Sequence, residues 1–517
     1  SLGPDNARAV DVRKLVLEAT FATLTNVNFS DERFQAYLTE AAALVKALEG
    51  LLRAQGKEVP PAAPGLPSEL PSDKTELLLA SGPAGLLARS ALVMNDNVFG
   101  AVEMATYGLK GVVAYFYHAE HLGASYSDEE RREVYDEIFR VGSYLATAGT
   151  SAVADPDVAL DVALGECLAV GALNLKVMKL LDHAHCTAFG SPSPELVSTA
   201  KDGSRPAILV SGHDLAVLHK LLVQSEGRGV DIYTHGEMLP AHGYPRLRAF
   251  PHLKGHYGTH WGNQLHEFRR FPGSILMTSN CLRPPTRKYV DRLWTAGPVG
   301  FASIPALEDD FGPLIEQALS LPAFTGEPGA DRPKLHVGFG HEAVLGLADK
   351  LVAAVKGGEL KHVFVIGGCD GTESSRSYFT ELAAQTPPES LILTMGCGKF
   401  RLNAQDHGTL GGVPRLVDLG QCNDAYSAVV IAVKLAEALG CGVHELPLHF
   451  AVSWFEQKAV AVLLTLLHLE LKNIRIGPAV PAFLTPKVAE MLHTKFGLMG
   501  IDAEHEDEDL SKMLRSA

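Results

Sequence analysis

The stretch from His362 to Cys397, HVFVIGGCDGTESSRSYFTELAAQTPPESLILTMGC, decides the fold class. It contains two short apolar runs that each end in glycine and cysteine, and the residues between the runs suffice for one helix. Short apolar runs bounded by small or turn residues are typical of buried strands. A strand, a helix and a second strand in succession predict a parallel α/β sheet.

The same layout recurs on both sides of this stretch. The runs end in Cys281 (SILMTSNC), Cys369 (HVFVIGGC), Cys397 (LILTMGC), Cys422 (LVDLGQC), His213 (AILVSGH) and Glu237 (DIYTHGE). Residues just past the C-terminal ends of parallel strands lie where such sheets bind ligands. Thiolates combined with an imidazole and with carboxylates such as Glu237 and Glu456 suit iron better than a disulfide or a plain zinc site. The pattern predicts a redox metalloenzyme built around an iron–sulfur cluster.

The order of patterns predicts a multidomain protein of mixed α and α/β class. Residues 1–189 read as an α-helical bundle domain, in which Ser127 and Glu130 form a capping box. Residues 205–327 and 334–517 each read as a doubly wound, Rossmann-like α/β domain, and we expect the cluster between domains. The breaks fall at residues 190–206 and 325–333, and the Pro-rich residues 60–73 should form a loop.

Composition narrows the classes of partner. The chain has 517 residues, 46% of them hydrophobic, and a net charge of −15, which argues against nucleic acid and anionic membranes as partners. No apolar run looks long enough to span a membrane, and no signal peptide is visible. Seven cysteines, an odd and sparse set, favour a reducing compartment. Three of them lie outside the strand-end pattern and read as inert thiols: Cys167, Cys186 and Cys441.

Several other interpretations remain open on the residues alone. Each strand-end cysteine could be structural by itself, and zinc is a further alternative, although local C-x-x-C pairs are missing. The segment GFGHEA (residues 338–343) mimics a dinucleotide fingerprint but reads better as a tight strand-to-helix turn. A dense set of histidines favours a loop or interface over a metal site: His252, His256, His260 and His266. His118 and His121 lack the Glu-x-x-His partners of a di-iron site.

The chain resembles the hybrid cluster protein family, also called prismane protein or hydroxylamine reductase. The motifs that carry the resemblance are SGHD (residues 211–214), THGEMLPAHGYP (234–245), TSNC (278–281), GGCDG (367–371), GCGKFRLN (396–403), GQCNDAYSA (420–428), SWFEQKAV (453–460) and KNIRIGPAVPAFLTP (472–486). They are long and ordered, and the resemblance covers essentially the whole chain, including LKGVVAYFYHAEHLG (109–123).

The resemblance implies a hybrid iron–sulfur–oxygen cluster of the 4Fe-2S-2O type. Its ligands fall on His213, Glu237, Cys281, Cys369, Cys397, Cys422 and Glu456. Cys369 matches the family cysteine that can be a persulfide. The implied activity is reduction of hydroxylamine to ammonia, of nitric oxide to nitrous oxide, or of both, with Cys369 and Glu456 at the reacting centre. Lys458, two residues past Glu456, is our hypothetical proton donor.

One departure concerns the start of the chain. Family members carry an N-terminal cysteine motif for a second, conventional iron–sulfur cluster, but no cysteine precedes Cys167, so that cluster is not expected in this chain. A targeting peptide can be missing from the start as well, and we expect the cytoplasm or an organellar stroma or matrix. Expected partners are a small-molecule substrate and an electron donor such as a ferredoxin or a flavin/Fe-S reductase, for a monomer or homodimer. The alternatives are a carbon monoxide dehydrogenase-like enzyme and a nitric-oxide-responsive transnitrosylating protein.

Overall fold

The structure is a computed structural model that describes residues 7–59, 71, 73–82, 85–93, 95–123, 126–148, 155–199, 204–325 and 334–515. The helices are α1 (Ala7–Ala22), α2 (Asp31–Ala54), α3 (Lys74–Ser81), α4 (Leu86–Val93), α5 (Asp96–His121), α6 (Asp128–Thr147), α7 (Pro156–Phe189), α8 (Leu215–Ser225), α9 (Pro245–Arg248), α10 (Gln264–Arg270), α11 (Gly312–Ser320), α12 (His341–Leu345), α13 (Ala348–Lys356), α14 (Ser377–Gln385), α15 (Tyr426–Leu439), α16 (Gln457–His468), α17 (Pro486–Phe496) and α18 (Glu506–Arg515).

The strands are β1 (Asn28–Phe29), β2 (Glu195–Val197), β3 (Ala207–Ser211), β4 (Asp231–His235), β5 (Leu253–His256), β6 (Ser274–Met277), β7 (Leu293–Ala296), β8 (Gly300–Phe301), β9 (Ala306–Leu307), β10 (Leu335–Val337), β11 (His362–Gly368), β12 (Ser390–Thr394), β13 (Thr409–Leu410), β14 (Val413–Pro414), β15 (Leu416–Asp418), β16 (Leu448–Ser453), β17 (Ile474–Gly477) and β18 (Met499–Gly500).

Two six-stranded parallel sheets organise the second half of the chain. Sheet I has the order β5-β4-β3-β6-β7-β9, and sheet II has the order β15-β12-β11-β16-β17-β18. Counted within each sheet, both orders are 3-2-1-4-5-6, in which the strand order reverses beside the first strand. In open α/β sheets of this kind, ligands bind at that reversal, outside the carboxyl ends of the strands.

Local sequence explains the long helix α7. Asp155 caps its start by accepting a hydrogen bond from the Asp157 N–H, Pro156 occupies the first turn, and Gly190 follows its end with φ = 80°. Proline fits the first turn because that turn has no intrahelical acceptor for its N–H, and glycine tolerates positive φ. The predicted capping box of Ser127 and Glu130 at the start of α6 is confirmed.

Helices α5 and α7 share one hydrophobic core with α16 and with the strands of sheet II. Two glycines permit the close approach. A Cβ at Gly171 in α7 would lie 2.1 Å from the Leu464 carbonyl oxygen, and one at Gly111 in α5 would lie 2.5 Å from that of Gln457. Sheet I instead packs within two further clusters, which also include Phe21 of α1, Ala114 of α5 and Phe189 of α7.

The expectation that no segment is long and apolar enough to span a membrane is wrong. Helix α7 (Pro156–Phe189) is long and apolar enough to cross a membrane by those two criteria. Its buried residues, among them Val170 and Val177, belong to the core shared with α5 and α16. A core helix of this kind passes the same test.

The predicted class, mixed helical and α/β with parallel sheets, is confirmed. The boundaries drawn at residues 60–73 and 325–333 fall largely outside the described residues. Of the break at 190–206, residues 190–199 and 204–206 are described and include strand β2. The three-domain division stays a prediction. The GFGHEA segment forms a tight turn: a Cβ at Gly338 would lie 2.0 Å from the Ser193 carbonyl oxygen.

Candidate metal centre

Strand ends deliver the predicted ligands. In sheet I, His213, Glu237 and Cys281 follow β3, β4 and β6; in sheet II, Cys369, Cys397, Cys422 and Glu456 follow β11, β12, β15 and β16. β3 and β6 flank the order reversal of sheet I, and β11 and β16 flank that of sheet II. The ligand set therefore comes from the reversal points of both sheets and from the strands beside them.

Three of these side chains meet at one point between the sheets. One donor atom each of His213, Glu237 and Cys422 lies within 4.8 Å of the others. The His213 Nε2 is 3.9 Å from the Glu237 Oε2, and that oxygen accepts a hydrogen bond from the Cys422 main-chain N–H at 2.9 Å. Residues of sheet I and sheet II thus face each other at hydrogen-bonding range.

The remaining cysteines share the same electrostatic environment. Burial raises the pKa of Cys281 well above its ordinary value, and the charges of Glu456 and Cys369 add to that rise. Burial likewise raises the pKa of Cys397, with contributions from Glu237 and Cys281. Groups perturb one another in this way only at short range in a site of low polarity. Cys281, Cys369, Cys397 and Glu456 therefore lie near His213, Glu237 and Cys422, but among the described residues only those last three have donor atoms within 4.8 Å of one another.

His213 is oriented by the segment before Cys281. Its Nδ1 lies 2.9 Å from the Asn280 carbonyl oxygen and 3.1 Å from the Ser279 hydroxyl, and its main-chain N–H donates to that hydroxyl at 2.8 Å. Because a carbonyl only accepts, Nδ1 carries the proton and Nε2 is left with its lone pair. Burial keeps the pKa of His213 well below its ordinary value, so the ring is neutral. A neutral imidazole with one nitrogen tied down is the usual form of a metal ligand.

Glu237 leaves one oxygen for a metal. Its Oε2 accepts from Cys422, whereas its Oε1 is buried without a hydrogen-bond partner among the described residues. Burial raises the pKa of this carboxyl group. A buried carboxylate oxygen without a partner is costly unless a cation is beside it. The donor set of thiolates, imidazole and carboxylates therefore fits an iron–sulfur cluster.

Main-chain N–H groups lower the pKa of two of the thiols and so oppose the effect of burial. Burial raises the pKa of Cys369 to about 12, and the N–H groups of Phe455 and Glu456 oppose that rise. The N–H of Trp261 does the same for Cys397. Hydrogen bonds to sulfur favour the thiolate, which is the form that binds iron.

Lys458 is a buried cation near the candidate ligands. It lies fully buried in the first turn of α16, where its N–H donates to the Glu456 Oε2 at 3.0 Å. Burial lowers the pKa of its ammonium, but Cys422, Glu456 and Cys281 outweigh that effect and raise it above the ordinary value. The ammonium also lies 5.8 Å from the ring centre of Tyr115, within the range of a cation–π contact.

Sequence reasoning missed several residues that hold this arrangement. The Tyr115 hydroxyl donates to the Cys422 carbonyl at 3.2 Å, and the Gln421 amide donates to the Glu237 carbonyl at 2.7 Å. The Gln264 amide donates to the Cys281 carbonyl at 2.6 Å. Gln421 precedes Cys422 in the quoted motif GQC and could have been found there. Tyr115 lies in the quoted segment LKGVVAYFYHAEHLG and could have been found there as well, whereas Gln264 lies outside every quoted motif.

The histidines outside the ligand set have other roles. The His121 Nδ1 lies 2.9 Å from the Asp214 Oδ2, and His118 lies 3.8 Å from the same oxygen. His252 contacts the Ser225 hydroxyl, and the Nδ1 of His256 contacts that of Thr234. These contacts describe an interior polar network.

An apolar cavity of about 570 Å³ reaches the ligand set from the side of sheet II. Cys369, Cys422 and Tyr115 form part of its wall. Most of its other lining residues are apolar, including Met178, Leu345, Val352, Leu393, Val429 and Leu466, and Lys434, His444 and Thr465 also line it. A cavity lined in this way favours small uncharged molecules over ions.

Comparisons with known proteins agree with this geometry. The profile described as Prismane/CO dehydrogenase family matches residues 3–509. Proteins named hydroxylamine reductase are 46% identical in Acidiphilium cryptum (97% of this chain, 88% of the relative), 47% in Burkholderia ambifaria (95% and 86%) and 45% in Salmonella newport (96% and 88%).

Among solved structures, carbon monoxide dehydrogenases have a similar fold. Carbon monoxide dehydrogenase IV from Carboxydothermus hydrogenoformans matches with a TM-score of 0.59 at 14% identity, over 82% of this chain and 88% of that one. The enzyme from Thermococcus sp. AM4 matches with a TM-score of 0.54 at 17% identity, over 99% and 83%. At this identity the likeness shows the fold alone.

Proposed function

The chain belongs to the Prismane/CO dehydrogenase family, and on that premise we propose that it is an iron–sulfur oxidoreductase that reduces hydroxylamine to ammonia. The observation that carries the proposal is the meeting of His213, Glu237 and Cys422 at one point, with Cys281, Cys369, Cys397 and Glu456 around it. The relatives named hydroxylamine reductase, at 45–47% identity over nearly the whole chain, support the substrate.

The seven ligands would hold a hybrid cluster of the 4Fe-2S-2O type. When bound, such a cluster supplies electrons and a coordination position to a small oxidised-nitrogen molecule. Supporting this assignment, the donor set combines soft sulfur with a neutral imidazole and the unpartnered Glu237 Oε1. A conventional iron–sulfur cluster is bound by thiolates and needs no carboxylate ligands. The carboxylates of Glu237 and Glu456 therefore favour the mixed cluster.

The chain's own residues supply charge and protons. Reduction of hydroxylamine breaks one N–O bond, consumes two electrons and two protons, and yields ammonia and water. Lys458 holds an ammonium proton beside Cys422 and Glu456, where it can be donated to the departing oxygen. Tyr115 and the aliphatic walls keep bulk water away from the same region.

A second activity, reduction of nitric oxide to nitrous oxide, is favoured by one observation. The apolar cavity of about 570 Å³ has Cys369 and Cys422 in its wall. Nitric oxide is small and uncharged, so it enters an apolar cavity readily. Hydroxylamine forms stronger hydrogen bonds with water and therefore favours the solvent over the cavity. A transnitrosylating role would need nitric oxide bound at the same place without turnover.

The proposal extends to the surroundings of the enzyme. The described cysteines are all free thiols, which supports a reducing compartment such as the cytoplasm or an organellar matrix. We propose a separate protein as electron donor and a monomer or homodimer as the working form. The conventional N-terminal cluster is not part of the proposal for the sequence given.

The test is metal content and turnover of the protein purified without oxygen. About four irons per chain without nickel, together with steady reduction of hydroxylamine by reduced methyl viologen, would support the proposal. Nickel would point to carbon monoxide chemistry, and zinc or almost no metal would contradict the ligand assignment. Nitric oxide binding without reduction of either substrate would favour the transnitrosylating alternative.

A further inference from the structure

Positive charge is concentrated beside one ligand of the proposed centre. Residues 262–292 contain six lysines and arginines but only two acidic residues, whereas the whole chain has 45 basic and 60 acidic residues. The segment includes α10, strand β6, Cys281 and the residues that follow Cys281. The local excess of positive charge therefore opposes the overall charge of −15.

Two parts of this segment pack side by side. The Tyr289 ring lies edge-on to the Phe268 ring at 5.6 Å, and Arg292 donates to the carbonyl oxygens of Phe271 and Phe268. The main-chain N–H of Arg283 donates to the Gln264 side chain at 3.0 Å. Helix α10 and residues 283–292 thus form one continuous surface.

Most cations of this surface are exposed, whereas the Arg283 guanidinium donates to the Gly262 carbonyl oxygen at 2.6 Å. We call the following set the basic face: Arg269, Arg270, Arg283, Arg287 and Lys288. Four of them are exposed and Arg283 is half-buried. Across the described parts of the chain, none of the five forms an ion pair with an acidic side chain. The carboxylate of the neighbouring Glu267 is already engaged by His235 and Thr259. The basic face therefore keeps its charge for an external partner.

The basic face connects directly to the ligand set. Gln264 donates to the Cys281 carbonyl at 2.6 Å and accepts from the Arg283 N–H at 3.0 Å, so one side chain joins the face to a ligand residue. We propose that the basic face is the docking site of an acidic one-electron carrier protein, which would pass electrons inward past Cys281.

The inference rests on the proposed function and names a partner for it. Each hydroxylamine takes two electrons, so two encounters with a one-electron carrier are needed for one turnover. Opposite charges on carrier and face steer such encounters and speed them, and dissolved salt screens the effect. The chemistry recognised is an acidic protein surface around a redox group.

The experiment compares two donors on two variants. In the first variant Arg269, Arg270, Arg287 and Lys288 all become Gln; in the matched control the exposed cations Lys46, Lys350, Lys356 and Lys472 become Gln, which removes the same charge elsewhere. Turnover is driven either by a reduced acidic ferredoxin or by reduced methyl viologen, a small cation that gains nothing from a basic face.

We expect the first variant to show a KM for ferredoxin about tenfold higher at low salt, with weaker salt dependence, and unchanged viologen-driven turnover. The control should match the natural protein with both donors. Equal ferredoxin kinetics in all three proteins, or equal losses in both variants, would overturn the docking site.

A failure of the proposed function gives a different result. If the natural protein turns over with neither donor, ferredoxin binding measured by titration calorimetry still tests the face. Binding that weakens about tenfold in the first variant alone supports the docking site. Binding that is absent in the natural protein, or unchanged in the first variant, overturns it.

Discussion

The two sheets share a strand order but present their ligands differently. Sheet I gives an imidazole, a carboxylate and one cysteine, and His213 is fixed by hydrogen bonds to Ser279 and Asn280. Sheet II gives three cysteines and Glu456, and two of its thiols accept main-chain N–H groups. The imidazole of His213 is oriented by a hydroxyl and a carbonyl, whereas the carboxylates of Glu237 and Glu456 accept main-chain N–H groups.

The sheets also differ in what lies behind them. Sheet II shares its core with α5, α7 and α16, borders the apolar cavity and carries Lys458. Sheet I has its own cores and carries the basic face. The comparison suggests a division of labour: sheet II provides sulfur, protons and access for uncharged molecules, and sheet I provides oriented nitrogen and oxygen donors and a surface for the electron donor.

Removal of a sulfur donor should have the largest effect. Cys422→Ser replaces the thiol near Glu237 and Lys458. We expect iron binding and turnover to fall by more than about 100-fold, because changes to residues that only support metal ligands already cost up to that much. Iron analysis and hydroxylamine reduction measure this. Cys441→Ser, a half-buried cysteine outside the site, should keep both. Full iron content in Cys422→Ser would contradict the role of sheet II.

Loss of the buried cation should come next. Lys458→Met should lower turnover about 100-fold or more, with iron content unchanged, because proton donation contributes at least that much. The raised pKa of Lys458 means that the natural protein keeps this proton above the pH at which an ordinary lysine loses it. Lys512→Met removes an exposed lysine paired with Glu508 and should be neutral. Unchanged turnover in Lys458→Met would refute the proton-donor role.

The shared core of sheet II predicts an effect on stability. Gly171→Ala places a Cβ 2.1 Å from the Leu464 carbonyl, and overpacking of this kind should lower the free energy of unfolding by about 2 kcal/mol. Gly165→Ala in the same helix meets nothing within 4 Å and should raise it by up to ~1 kcal/mol. Urea unfolding checks both. Equal effects would mean that α7 and α16 do not pack as described.

The orientation of His213 tests sheet I. Ser279→Ala removes the hydroxyl that binds both the Nδ1 and the main-chain N–H of His213, and iron affinity should fall roughly tenfold. Competition with a chelator measures this. Ser320→Ala removes an exposed hydroxyl that donates to the Gln317 carbonyl and should leave affinity unchanged. An unchanged affinity in Ser279→Ala would show that Asn280 alone orients the ring.

The smallest expected effect concerns the cavity. Val429→Trp fills part of the apolar cavity and should lower kcat/KM for nitric oxide a few-fold while sparing that for hydroxylamine. Val223→Trp adds the same bulk at a position 52% exposed on α8 and should change neither. Equal losses for both substrates would mean that the cavity serves the fold rather than access.

Much of the site could be predicted because its ligands stand at strand ends. Cys369 directly follows the apolar strand β11, and Cys397 and Cys422 follow β12 and β15 after a short turn. Alternation of strand and helix determines a parallel sheet, and parallel strands place their carboxyl ends at one edge. Local sequence patterns therefore suffice to predict the fold class and the candidate ligands.

Tertiary structure alone decided how the ligands meet. The contact of Glu237 with the Cys422 N–H, the Tyr115 hydroxyl on the Cys422 carbonyl, and the packing of α16 against both α5 and α7 join segments far apart in the chain. Local sequence carries no record of such distances, because packing of two sheets and a helical region depends on the shapes of all their buried side chains. Strand-end patterns predicted the seven candidate ligands, and close packing brings His213, Glu237 and Cys422 within 4.8 Å of one another.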